Sequence, residues 1–199
     1  CKRRADHTMG SISLSEKRLV ITGGARGLGR AFVEAALMAG ARVVVADILE
    51  DVGRQTVKKL SRLGEVYFES VDLGDPGSIA ALSERSINQL GGVDGLVNCA
   101  AIATGIGGKT ADEIDVETWD RVMTVNVRGT WLAVRAFSPA LRAAGNGKIV
   151  NIASDTAMWG APRLLHYVAS KGAVISMTRA LARELGNDGI AVNACLLYT

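Results

Sequence analysis

The sequence predicts an α/β protein in three layers, a doubly wound parallel sheet with helices on both faces. Short Val- and Ile-rich runs alternate with stretches of helical period over residues 19–194, a pattern that calls for parallel strands joined by right-handed crossovers. The first of these runs enters a glycine-rich turn, Gly23-Gly-Ala-Arg-Gly-Leu-Gly29, that opens a helix, and the second ends on an acid, Asp47. With 199 residues, 48% apolar and only 5% aromatic, the chain fits one Val/Ile/Ala-rich domain with a sizeable core.

Residues 18–22 read as a short buried strand and 28–38 as a helix, with Phe32, Val33, Ala36 and Leu37 on its inner face and Gly40 ending it. Strand, turn and helix N-terminus together make an anion site. Bare N–H groups and the helix dipole face a phosphate, and glycines let the backbone come close. The second strand is 42–47. Its terminal Asp47 stands where a carboxylate accepts the adenosine ribose hydroxyls and repels a 2′-phosphate, which favours NAD over NADP. Arg26 argues for NADP only by resemblance to NADP-dependent enzymes that carry a base in this turn, and a plain helix cap is the structural alternative for Asp47. A helix is expected over 50–63 with Leu49, Val52, Val57 and Leu60 inward, then a third strand over 66–71 followed by Asp72-Leu73. Asp75 and Pro76 start the next helix as N-cap and first-turn proline. Ile79, Leu82, Ile87 and Leu90 form its buried face, and Gly91-Gly92 stops it.

The fourth strand, 93–98, leads into Cys99-Ala100-Ala101 and a glycine-rich loop over 104–109. One long helix is expected from 116 to about 143, containing Asn126. The fifth strand, 149–153, delivers Ser154, and the loop 155–164 offers Met158, Trp159 and Pro162 as apolar walls. A helix over 165–185 carries Tyr167 and Lys171, and a sixth strand follows at 190–194. Tyr and Lys four apart on a helix lie about 40° apart around its axis, so both reach one small volume. An ammonium there should lower the phenol's pKa and suit it to proton transfer. Alone, such a pair is commonplace on helix surfaces.

The glycine turn, Ser154, Tyr167 and Lys171, in this order, resemble the short-chain dehydrogenase/reductase family. The resemblance implies a Rossmann-type fold with the cofactor at the carboxyl ends of the strands. It implies cofactor contacts from Gly23, Arg26, Gly27, Leu28, Gly29, Asp47, Asp72, Leu73, Cys99, Ala100, Tyr167 and Lys171. Asn126, Ser154, Tyr167 and Lys171 are implied as catalytic, with a helix distortion at Asn126 exposing a carbonyl that holds a water near Lys171. Where the family has Asn-Asn-Ala-Gly, this chain has Asn98-Cys99-Ala100-Ala101. Cys99 reads as a small buried hydrophobe rather than a nucleophile. After Ala194 the family pattern stops at Cys195-Leu-Leu-Tyr-Thr199. The expectation is a C-terminally truncated chain, with the last strand, part of the substrate lid and a subunit contact missing, and with little activity as it stands.

The expected function is an NAD-dependent oxidoreductase that interconverts a secondary alcohol and a ketone by hydride transfer. The alternatives are an NADPH-dependent 3-oxoacyl-type reductase or a non-catalytic nucleotide-binding fragment. A cytoplasmic setting and a homo-oligomer, dimer or tetramer in the full-length form, are expected. A net charge of +3 without a basic aromatic stripe argues against nucleic acid, and no apolar run reaches the roughly 18 residues of a membrane span. Cys1, Cys99 and Cys195 form no metal pattern, and His7 and His166 read as non-ligands. Residues 1–10 are expected to be a disordered extension around a start at Met9, and 11–199 one domain.

Overall fold

The computed structural model describes residues 13–197, so the expected extension over 1–10, with Cys1, His7 and Met9, lies outside the described residues. The strands are β1 (Arg18–Thr22), β2 (Arg42–Asp47), β3 (Val66–Ser70), β4 (Gly95–Asn98), β5 (Lys148–Ser154) and β6 (Ala191–Leu197). They form a sheet of order β3-β2-β1-β4-β5-β6, parallel at every pairing. The order reverses between β1 and β4, and in sheets of this kind the crevice that takes a ligand lies at such a reversal, beyond the carboxyl ends of the strands.

β2 shows why these runs carry no alternation. Val43 and Val45 pack into one hydrophobic cluster with Val33 and Leu37 of α1 (Gly27–Met38) and Leu60 of α2 (Glu50–Leu60). Val44 packs into the other, with Leu82 of α3 (Pro76–Leu90), Phe137 of α5 (Thr130–Ala143) and Leu185 of α7 (Leu165–Gly186). A strand covered on both faces must be apolar on both.

Several expectations need correction. Helix α2 ends at Leu60, and its buried residues are Gly53, Thr56 and Leu60. Val52, expected inward, is 39% exposed. The reason is Phe68 of β3, whose ring fills the space where a Cβ on Gly53 would stand. Helix and strand meet at a glycine, which an apolar pattern does not register. The single helix expected over 116–143 is three pieces: α4 (Val116–Met123), a π-helical turn (Thr124–Gly129) and α5. The loop 155–164 contains a one-turn helix, α6 (Thr156–Trp159). Met158 and Trp159, expected as walls, are 67% and 61% exposed. Strand β6 runs on to Leu197, which pairs with Ser154. No helix among the described residues is long and apolar enough to cross a membrane.

Candidate active site

The glycine turn is fixed by two distinct demands. Gly23 has φ +70, and a Cβ there would stand 2.7 Å from Ala100 Cα, so the loop after β4 can close on the turn only over a glycine. Gly27 has φ +55 with nothing within 4 Å of its would-be Cβ, so conformation alone demands glycine there. At Gly29 a Cβ would overlap the Gly23 carbonyl. Helix α1 begins after Arg26 with no side-chain cap and no acid in its first turn. Asp75 caps α3 and Asp115 caps α4, whereas the starts of α2 and α7, like that of α1, have no side-chain cap. The first N–H groups of α1 therefore face the crevice as donors without a side-chain acceptor, and the donor set fits an anionic diphosphate. Arg26 and Leu28 are exposed beside it.

Asp47 is buried, at 9% exposure. One carboxylate oxygen accepts the Ala25 N–H at 3.0 Å and the other accepts the Leu49 N–H at 3.1 Å. It is not the N-cap of α2, which is Leu49. Thr22, fully buried at the end of β1, accepts the N–H groups of Cys99 at 3.1 Å and Ala100 at 3.2 Å on its hydroxyl. The turn and the loop after β4 are thus held as one unit. Asp72 stands apart: its exposed carboxylate accepts the Gly74 N–H at 2.7 Å within its own turn. Leu73 is buried against Gly129 at the end of the π-helical turn.

The four residues expected to be catalytic come from three elements. Helix α7 supplies Tyr167 and Lys171, β5 supplies Ser154, and the π-helical turn supplies Asn126. Lys171 is 4% exposed. Its Nζ donates to the Ile152 carbonyl at 2.7 Å and lies 5.6 Å from the Tyr167 ring centroid. Burial lowers the ammonium from its ordinary 10.5 to about 8. Tyr167 departs from expectation. Its phenol is raised, chiefly by burial, while hydrogen bonding from Ser154 pulls the other way. The ammonium is directed at a carbonyl and lies over the ring, so desolvation outweighs it. The Ser154 hydroxyl, 6% exposed, shares a 2.8 Å hydrogen bond with Thr156 Oγ1.

Asn126, 1% exposed, acts as a bracket. Its Oδ1 accepts the Ile102 N–H at 2.8 Å, and its Nδ2 donates to the Ile102 carbonyl and to Ser170 Oγ, each at 3.1 Å. Ser170 in turn donates to the Tyr167 carbonyl at 2.7 Å. The expected distortion is the π-helical turn itself, and the Asn126 carbonyl there accepts the Thr130 hydroxyl at 2.8 Å. The Cys99 thiol is pushed up to about 11, mainly by burial and against the pull of Lys171, so it stays a thiol at neutral pH. His166 is fully buried, and neither ring nitrogen has a hydrogen-bond partner. Among the described residues no group of three or more His, Cys, Asp or Glu stands where it could hold a metal ion.

The carboxyl ends of the strands thus unite the glycine turn, Asp47, Cys99, Ala100, Ser154, Tyr167 and Lys171, with Asn126 linked to Tyr167 through Ser170 and Asp72 outside the network. No pattern in the sequence singles out Thr22, Thr56, Thr156 or Ser170. Ser170 sits directly before Lys171, and Thr22 directly before the glycines, but single hydroxyl residues carry no periodic signal.

The short chain dehydrogenase family model matches residues 17–198. The chain is 35% identical over 185 residues to 2-(S)-hydroxypropyl-CoM dehydrogenase 3 of Xanthobacter autotrophicus, covering 92% of this chain and 71% of that protein. It is 36% identical over 182 residues to 2,5-dichloro-2,5-cyclohexadiene-1,4-diol dehydrogenase of Sphingobium indicum, covering 91% and 71%. A 3-alpha-(or 20-beta)-hydroxysteroid dehydrogenase of Mycobacterium tuberculosis is 34% identical over 178 residues, covering 89% and 66%. The crystal structure of a protein from Sinorhizobium meliloti 1021, described as a short-chain alcohol dehydrogenase, is similar with a TM-score of 0.86 at 30% identity, covering 92% of this chain and 72% of that one.

Proposed function

This chain belongs to the short-chain dehydrogenase family of oxidoreductases, and we propose that it interconverts a secondary alcohol and a ketone with NAD as the hydride carrier. The observation that carries the reading is the burial of Lys171 beside Tyr167 and Ser154. No carboxylate pairs with it among the described residues. An unpaired buried ammonium costs stability, and such groups gather at functional sites. The names of the relatives support an alcohol substrate, since they specify a hydroxypropyl, a diol and a hydroxysteroid dehydrogenase.

Tyr167 transfers the proton at the substrate oxygen, as acid in reduction and as base in oxidation. Burial holds its phenol protonated, the form that reduction needs. Ser154 hydrogen-bonds the same oxygen and orients it. Lys171 holds the nicotinamide ribose and favours the phenolate, and Asn126 fixes the loop after β4 and, through Ser170, the Tyr167 turn. A nicotinamide held by Tyr167 and Lys171 would supply or take up the hydride and, in its oxidised form, a positive charge that favours the phenolate. The α1 N-terminus takes the diphosphate and Asp47 the adenosine ribose. A 2′-phosphate there would meet the carboxylate, and Arg26 reaches solvent, which supports NAD over NADP.

The test is a panel of secondary alcohols with NAD and NADP, read as reduced nicotinamide. Tyr167→Phe should lower turnover at least about 100-fold with NAD affinity unchanged. Turnover in the Tyr167→Phe protein close to the parent's would remove Tyr167 from the chemistry and turn attention to His166.

A further inference from the structure

We infer that Thr56, on the inner face of α2, is a positioning residue of the dinucleotide site, an inference that rests on the NAD reading above. Ala25 lies within the glycine turn and is 1% exposed. Both of its backbone polar groups are held by side chains from outside the turn. Asp47 accepts its N–H at 3.0 Å, and the Thr56 hydroxyl donates to its carbonyl at 2.7 Å. Thr56 is itself 3% exposed. A helical threonine commonly bonds a carbonyl one turn back in its own helix. Here the hydroxyl bonds across to Ala25, 31 positions away in sequence. Phe68 packed against Gly53 sets α2 close enough for that reach.

The peptide that Thr56 holds directly precedes Arg26, and the N–H groups of Gly27, Leu28 and Gly29 follow. Rotation of the Ala25–Arg26 peptide would redirect the donors meant for the diphosphate. It would also disturb the Asp47 carboxylate, because one of its oxygens is fixed by the same residue. Thr56 touches no ligand in this arrangement. It acts through Ala25, on the part of the site that NAD and NADP share. Asp47, by contrast, discriminates between the two.

The test uses Thr56→Val, which keeps the shape and removes the hydroxyl, and Thr56→Ser, which keeps the hydroxyl. NAD and NADP affinities are measured by calorimetric titration, below the thermal midpoint of each protein. Losing the partner of one buried carbonyl should raise both Kd values about tenfold in Thr56→Val, with their ratio unchanged. Thr56→Ser should restore both to within about twofold, and kcat at saturating NAD should stay within about threefold of the parent. Amide exchange at residues 24–29 should speed up in the cofactor-free Thr56→Val protein, a change that needs no turnover to be seen. If Thr56→Val does not fold, Thr56→Cys, which fills the same space with a weak donor, carries the same test. Dinucleotide binding within twofold of the parent in the hydroxyl-less variant, or equal weakening in Thr56→Ser, overturns the inference. A parent protein that binds neither dinucleotide overturns the NAD reading instead.

Discussion

Lys171→Met separates what the site costs the fold from what it does. The substitution keeps an unbranched apolar stem and deletes the ammonium. In the folded chain that ammonium is lowered to about 8 from 10.5 by burial. At about 1.4 kcal/mol per pKa unit, the gap is worth about 3 kcal/mol. The sign follows from proton counting. Below pH 8 both folded and unfolded chains hold the proton, and the fold bears the whole penalty. Between about 8 and 10.5 the unfolded chain holds a proton that the folded chain has released, so stability rises with pH. Above that range the penalty is gone. Comparing urea unfolding of the cofactor-free parent and Lys171→Met isolates this contribution. Cys99 and Tyr167, both raised by burial, lose stability as pH rises, but they are present in both proteins. Between pH 7 and about pH 9.5 the parent should gain about 2 kcal/mol on the variant. At pH 7 the variant should be at least as stable as the parent, since the lost bond to the Ile152 carbonyl is worth only about 1 kcal/mol. A stability difference that stays flat over this range would mean that the ammonium is solvated or paired, and the argument from its burial would fail.

Other outcomes follow from single contacts. Asp47→Ser should reduce the preference for NAD over NADP at least about tenfold in paired titrations. It should also weaken NAD itself, because Asp47 meets the Ala25 and Leu49 N–H groups with two different oxygens and serine has only one to place; an unaltered preference would show that Asp47 does not discriminate. Gly129→Ala would place a Cβ 2.7 Å from the Leu73 carbonyl oxygen and 2.8 Å from Leu73 Cβ. Overpacking of that kind costs about 1–3 kcal/mol and should lower the urea midpoint, whereas an unmoved midpoint would show that the 72–74 turn yields. Alkylation of Cys99 by iodoacetamide, followed by peptide mass, should be slow at neutral pH and climb about tenfold per pH unit. The climb should continue toward the thiol's value of about 11, and a plateau near pH 8.5 would contradict a buried thiol.

The sheet, its order reversal and the crevice were legible because long runs such as 42–47 and the glycine turn report burial and backbone conformation directly. Element ends were less so: β4 begins at Gly95 rather than at 93, and β6 continues to Leu197. On the inner face of α2, Leu60 and Val57 pack as expected but Val52 does not, because the closest contacts are made by Gly53 and Thr56, which carry no apolar signal. The π-helical turn was foreseen only through the family resemblance, since nothing in 124–129 differs in pattern from an ordinary helix. Bringing Asn126, Ser154, Tyr167 and Lys171 together was legible as a set. The hydrogen bonds that hold them were not, because Thr22, Ser170 and Thr156 are isolated hydroxyl residues whose partners lie far away in sequence or in irregular backbone. The sign of the Tyr167 shift was misjudged because spacing along a helix says that two side chains are close and nothing about which atoms face each other.

Two features of this fold await a ligand, and only the second, the buried ammonium, lowers stability without one. The α1 N-terminus has donors with no side-chain acceptor, and Lys171 has a buried charge with no carboxylate beside it among the described residues. Neither is accidental looseness, since the surrounding backbone is tied by Thr22, Asp47, Thr56 and Asn126. Donors and charge are thereby held in place rather than left to relax. A ligand with phosphates for the first and sugar hydroxyls for the second meets both at once. At a hundred times its Kd such a ligand stabilises the folded chain by about 2.7 kcal/mol. That is close to the roughly 3 kcal/mol that burial of Lys171 costs. The frame is rigid where the cofactor would bind, whereas Met158 and Trp159 lie open on α6. On the proposed reading, the same chain combines backbone held in advance for a dinucleotide with exposed apolar groups, Met158 and Trp159, on the loop after β5.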